Sequence, residues 1–82
     1  MRLVYSAKFE TDYATAPADV QKAFDKQGGF LVGNLQHPSL HAKKYDESRG
    51  LWQARVNRSW RFYFTIEGDT YHLVTMIPHP KT

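Results

Sequence analysis

The chain contains no cysteine, so neither disulfides nor thiolate metal sites can support it, and a reducing cytosol suits it. No apolar run approaches the roughly 20 residues of a membrane span, and the first residues carry no signal-peptide pattern. A cytoplasmic protein with no membrane partner is therefore expected. A glycine-rich phosphate loop is absent, because Gly28-Gly29 lacks both the spacing and the following Lys-Ser/Thr. His37 and His41 straddle Pro38 in a turn instead of sharing a helix face, and no other ligand spacing suggests a metal site. There is also no constellation for a serine or cysteine nucleophile. Metal, small-molecule cofactor and acyl-enzyme chemistry are thus not expected, which leaves binding or cofactor-free catalysis.

What is present is small and unevenly charged. Eighty-two residues make one domain, 1–82, near the lower end of what an unstapled core supports. Residues 1–42 are neutral, with Arg2, Lys8, Lys22 and Lys26 balancing Glu10, Asp12, Asp19 and Asp25. The net charge of +3 arises entirely in residues 43–82, where seven basic residues face four acids. A basic half of this kind points towards a polyanion.

The basic residues are interleaved with aromatics at strand spacing. Successive side chains of a strand point to opposite faces, so Trp60, Phe62, Phe64 and Ile66 share one face, and Arg61, Tyr63 and Thr65 share the other. Trp52, Ala54 and Val56 are likewise opposed to Gln53, Arg55 and Asn57. Paired as a hairpin, the two runs give a hydrophobic floor, with Trp52 and Trp60 in the core. The opposite face gathers Arg55, Arg61 and an exposed Tyr63, a surface expected to meet RNA.

Elsewhere, 2–5 reads as a short strand, and Ser6 can cap a helix carrying Phe9 and Tyr13 on one side. Pro17 suits the start of a second helix. Its stripe of Val20, Phe24, Leu31 and Leu35 runs through residue 35. Gly28-Gly29 either costs that helix about 1 kcal/mol per glycine or breaks it. His37-Pro38 closes the helical half, and a loop from 39 to 50 carries Lys43, Lys44 and Arg49. Strands follow near 51–57, 60–67 and 70–77, and Gly68-Asp69 forms a two-residue hairpin connection. The last strand is apolar on both faces, which suits a central position. The expected fold is α+β, in the order β-α-α-β-β-β, with two N-terminal helices on one face of a mostly antiparallel sheet.

This order, together with Leu40-His-Ala-Lys-Lys44, the pattern Arg55-Val-Asn57…Trp60-Arg61 and the terminal Ile77-Pro-His-Pro80, resembles the RelE/ParE superfamily of bacterial toxins. The resemblance covers essentially the whole chain. It implies the toxin of a type II toxin–antitoxin module, neutralised by a cognate antitoxin. RelE-, HigB- and YoeB-like members cleave messenger RNA, usually on the ribosome; ParE-like members poison DNA gyrase without nuclease residues. On the nuclease branch, Arg61 aligns with the arginine that contacts the scissile phosphate, and Arg55 is a second phosphate candidate. His79 aligns with a C-terminal histidine and is the candidate general acid or base, although prolines flank it here. Lys43, Lys44, Arg58, Tyr63 and Lys81 are candidate RNA contacts. His41, beside lysines, reads as an ordinary exposed histidine, and His72 as a sheet residue.

The expected function is therefore a metal-free, ribosome-dependent mRNA endoribonuclease that inhibits translation, catalysed by Arg61, Arg55 and His79. The alternatives are a non-enzymatic gyrase inhibitor on the same scaffold and a plain RNA-binding module.

Overall fold

The computed structural model describes residues 2–79. Strand β1 (Arg2–Tyr5) leads into helices α1 (Ala7–Thr15) and α2 (Ala18–Gly33). Four strands follow: β2 (Lys43–Asp46), β3 (Leu51–Arg55), β4 (Trp60–Glu67) and β5 (Thr70–Pro78). The sheet order is β1-β5-β4-β3-β2. All neighbours are antiparallel except β1 and β5, which run parallel. The α+β architecture is as expected, and no described helix is long and apolar enough to cross a membrane.

The β3–β4 hairpin has the expected register. Ala54 stands opposite Phe62, Trp52 opposite Phe64, and Arg55 opposite Arg61. Phe62 and Phe64 are completely buried beneath the helices, where Phe24 meets Phe62 edge-on at 5.2 Å and Phe9 at 5.0 Å. Trp52 and Trp60 are half-buried against this cluster, at the border of the core instead of inside it. Tyr63 departs from expectation. It lies on the outward face but is only 8% exposed, because Tyr45 packs across its ring at 5.1 Å.

Tyr45 reaches that position because the expected loop contains β2, an edge strand flanked by 3-10 turns at Pro38–Leu40 and Glu47–Arg49. Lys43-Lys44-Tyr45-Asp46 has no apolar alternation to announce a strand. Charged residues are tolerated at an edge, where only one side of the backbone is paired. The second helix runs unbroken through Gly28-Gly29 and stops at Gly33, short of Leu35. Gly28 sits where α2 crosses β1, and a Cβ there would stand 3.4 Å from Leu3 Cδ1.

Strand β5 has one core face after all. Tyr63 pairs with Thr75 but Phe64 pairs with Leu73, which leaves Val74 as the extra residue of a bulge. Three positions apart, Leu73 and Met76 would face opposite ways on a regular strand; the bulge turns both into the core.

Beyond Leu73, β1 no longer covers the outer edge of β5, and α1 satisfies it instead. Ser6 Oγ accepts the Phe9 N–H at 3.0 Å as the helix cap and donates to the Val74 carbonyl at 2.8 Å. The Asp12 carboxylate accepts the Met76 N–H at 3.1 Å, the Thr75 hydroxyl, and Lys8 Nζ at 3.0 Å. Burial alone would raise the Asp12 carboxyl, but the hydrogen bonds from Thr75, Lys8 and Met76 outweigh it and hold the group below the ordinary value of 3.8. A depressed folded-state value stabilises the fold above the unfolded pKa, and that contribution is lost as pH falls through the folded one. Asp12→Ala should therefore lower stability at pH 7 by about 1–3 kcal/mol. It should also flatten the acid limb of stability below pH 3.8. Urea unfolding at a series of pH values measures both effects.

Candidate functional site

Four segments bring their side chains to one cleft on the outward face of the sheet. It holds about 360 Å³ and is lined by His41, Ala42, Lys43, Gln53, Arg55, Arg61 and His79. Arg55, Arg61, His79 and Lys43 are the expected members of a common site. His41 and Gln53 join them unexpectedly.

The turn between β3 and β4 orients two of these groups. Asn57 Oδ1 accepts the Ser59 N–H at 2.8 Å and the Trp60 N–H at 2.9 Å, a local side-chain cap of the kind Asn favours. The carbonyls fixed in this way act as acceptors. Arg61 Nη1 donates to Asn57 O at 2.8 Å and Trp60 O at 3.0 Å. The His79 N–H donates to Ser59 O at 2.6 Å. Asn57 thus underpins both the guanidinium of Arg61 and the backbone of His79. Because Nη1 is committed to the turn, the Nε and Nη2 protons of Arg61 have no partner among the described residues. That free edge is a fork of the geometry that suits two oxygens of a phosphate.

Arg55 lies directly opposite Arg61, and its Nε–H is buried without a hydrogen-bond partner among the described residues. Burial and then the charge of Arg55 lower the Arg61 guanidinium from its ordinary value, with Tyr63 acting in the opposite sense. Arg61 remains a cation near neutrality. No carboxylate relieves them: the two ion pairs among the described residues, Lys8–Asp12 and Arg49–Asp46, lie elsewhere. Two like charges held together with a buried unsatisfied donor make a site for an anion.

The opposite bank is set by α2 and the turn Pro38–Leu40. Gln27, 4% exposed, donates through Nε2 to Ser39 O at 2.9 Å and to Arg55 O at 2.8 Å, and its Oε1 accepts the Ser39 hydroxyl at 2.8 Å. Leu40 is fully buried and anchors the turn. The next residue, His41, takes a left-handed conformation with φ of 48°, which is uncommon outside glycine, and stands on the cleft rim. The signal for Gln27 is present in the sequence: it interrupts the Val20, Phe24, Leu31 stripe with a polar group at core spacing. His41 gives no such signal, because its placement depends on one backbone angle.

The remaining candidates are dispersed. Gln53 lines the cleft and donates through Nε2 to the Tyr63 hydroxyl at 2.8 Å, so Tyr63 supports the cleft wall from a buried position. Tyr45, 57% exposed, is the aromatic that this region presents. Lys44 lines a separate depression with Glu47 and Trp52. Arg58 is exposed in the β3–β4 turn, and Lys81 lies outside the described residues. No group of three His, Asp or Glu among the described residues is placed to hold a metal ion.

No protein-family model matches the chain, and no curated protein matches it in sequence. Solved structures do match its backbone. A YoeB/ParE toxin from Agrobacterium tumefaciens, 15% identical, is matched over 98% of this chain and 100% of that one with a TM-score of 0.81. The fold is that of the RelE/ParE toxins. YafQ from E. coli strain BL21(DE3), 18% identical, matches 90% of this chain and 88% of its own with a TM-score of 0.75. A chain of the RelB–RelE antitoxin–toxin complex from Methanococcus jannaschii, 16% identical, matches 92% of this chain and 88% of its own at 0.74. Within this RelE/ParE-like fold, the cleft and its two arginines rest on buried main-chain contacts. Gln27→Ala leaves two carbonyls and a hydroxyl unpaired and should cost about 2–4 kcal/mol, read as a lower urea midpoint with an unchanged slope.

Proposed function

We propose that this chain is the toxin of a type II toxin–antitoxin pair and that its cleft cleaves messenger RNA. One observation carries the reading. Two arginines without carboxylate partners, one with a buried unpartnered N–H, stand in the same cleft as two histidines. Structures with this fold include YafQ in complex with DinJ and YoeB in complex with YefM, which supports an antitoxin partner here. The proposed site of action is the cytoplasm, on messages held by the ribosome.

The chemistry follows from the cleft. One imidazole of the His41–His79 pair takes the proton of a ribose 2′-hydroxyl, and O2′ attacks the adjacent phosphorus in line. The bond from phosphorus to O5′ breaks, and the other histidine, protonated, gives its proton to O5′. The products are a 2′,3′-cyclic phosphate and a 5′-hydroxyl. Charge building on the non-bridging oxygens meets the free edge of Arg61 and the positive charge of Arg55 beside it, both in place before the reaction starts. Lys43 draws the backbone in, and Tyr45 offers a ring on which a neighbouring base stacks. Lys44 and Arg58 act at longer range, on phosphates outside the cleft. A gyrase inhibitor would need neither the paired histidines nor the unsatisfied arginines.

Arg61→Ala should lower cleavage by about a hundred- to a thousand-fold, the usual loss for one oxyanion-stabilising donor. Arg61→Lys should do little better, since a single ammonium cannot both hold the turn and fork a phosphate. His41→Ala and His79→Ala should each cost about a hundred-fold. The checks are induced growth arrest with primer extension on cellular messages, and purified toxin on ribosome-bound RNA. Arrest accompanied by DNA breaks and no new RNA ends would identify gyrase as the target instead.

Asn57 provides a finer test, because its role is to position others. Asn57→Ala should reduce the turnover rate by about ten- to a hundred-fold, with little change in the substrate concentration for half-saturation. Asn57→Asp keeps the accepting Oδ1 and should restore most of the activity.

A further inference from the structure

The groove where β1 meets the two helices has the opposite electrical character to the cleft. Tyr5, Phe9, Glu10, Tyr13, Phe24 and Asp25 line an opening of about 280 Å³. Phe9 and Phe24 form its buried wall; Tyr5 stacks on Phe9 at 5.5 Å, and Tyr13 stands edge-on to Phe24 at 6.1 Å. The Tyr13 hydroxyl donates to Asp25 Oδ1 at 2.9 Å. That bond raises the Tyr13 phenol, and burial followed by the Asp25 charge raises that of Tyr5, so both hydroxyls stay protonated beside the carboxylate. Neither Glu10 nor Asp25 belongs to an ion pair among the described residues.

The chemistry of this lining selects its occupant. Aromatic faces and two carboxylates without a cationic partner among the described residues attract a cation and repel an anion. A purely apolar group would remove the carboxylates from water without compensation. An arginine fits both parts: its stem lies along apolar surface, and its planar head stacks on rings while its N–H groups reach carboxylates. The surroundings indicate that the arginine belongs to a protein chain. Next to the groove, β1 pairs among the described residues with β5 alone, and Val4 and Tyr5 are 40% and 43% exposed. A free strand edge with exposed side chains is a template for an added extended segment.

We infer that this groove seats an arginine side chain of the antitoxin, on a segment running beside the free edge of β1. The inference rests on the proposed antitoxin partner but not on RNA cleavage. It places the antitoxin on the helical side of the sheet, away from the basic cleft.

The test uses N-acetyl-arginine amide and its neutral analogue N-acetyl-citrulline amide, titrated into the labelled full chain. The arginine probe should shift the ring resonances of Tyr5 and Tyr13, with millimolar affinity expected for one side chain, and the citrulline probe should not. Asp25→Asn should weaken the response about tenfold, equivalent to about 1.4 kcal/mol, and Tyr13→Phe should weaken it less. In the complex with co-expressed antitoxin, Asp25→Lys should reduce affinity at least tenfold while leaving cleavage by the free toxin unchanged. Equal shifts from both probes, or none, would overturn the inference, as would unchanged antitoxin affinity in Asp25→Lys. Binding of the free arginine probe below about 10 μM would instead mark a small-molecule site and also overturn it. Failure of the nuclease reading would leave all of these measurements intact, and failure here would leave cleavage intact.

Discussion

The cleft depends on one buried amide. Gln27 sits in the apolar stripe of α2, where a polar group costs several kcal/mol unless its hydrogen bonds are made. It makes three, and all of them reach outside its own helix: the carbonyl of Arg55, the carbonyl of Ser39 and the Ser39 hydroxyl. The packing of Phe24 and Leu31 on either side fixes the amide. The amide in turn fixes the end of β3 and the turn that delivers His41. Core packing is thereby converted into the spacing of the two banks of the cleft. At the other end, Asn57 does the same for Arg61 and His79 through the turn carbonyls.

Charge is distributed to the same end. Among the described residues the carboxylates in ion pairs are committed elsewhere: Asp12 to Lys8 and the uncovered edge of β5, and Asp46 to Arg49 and Ser48 at the β2 turn. No carboxylate among the described residues lines the cleft. Two guanidiniums side by side oppose folding, since like charges at close range cost on the order of 1 kcal/mol or more, depending on how much water screens them. The fold tolerates this because Arg61 is held by neutral carbonyls, which lock its position without cancelling its charge. A carboxylate partner would have stabilised the arginine more and removed its attraction for phosphate. The site therefore keeps unsatisfied charge at the expense of stability, as functional sites commonly do.

The hairpin is legible in the sequence because its alternation is clean and each face has its own chemistry. Arg55 and Arg61 follow directly from that alternation, and Ser6 from its capping position. The parts that are not legible have specific physical causes. The bulge at Val74 is a change of register that period-two reasoning cannot see, so β5 looks apolar on both sides. Strand β2 pairs along one edge only and carries two lysines where a hydrophobic pattern would have marked it. Alternation puts Tyr63 on the correct face but with the wrong exposure, since what buries it is Tyr45 on that same unmarked strand. His41 is hidden for a related reason: a single left-handed residue after a buried Leu40 turns it towards the cleft, and no composition rule encodes that angle.

The contacts that hold the cleft share one property: they are made largely to main-chain groups. Gln27 binds carbonyls, Asn57 Oδ1 binds two N–H groups, Arg61 Nη1 binds carbonyls, and His79 is held through its own N–H. A main-chain partner is available whatever side chain occupies its position, so such contacts constrain backbone path far more than residue identity. A core defined by volume and patterning is similarly permissive, provided the summed shape is kept. Together these give a physical reason for a backbone match at a TM-score of 0.81 with only 15% identity. A scaffold held in this way can exchange the chemistry of its cleft residue by residue. The proposed cleavage would therefore depend on the few groups facing that cleft, and among them on the free edge of Arg61 and the two histidines above all.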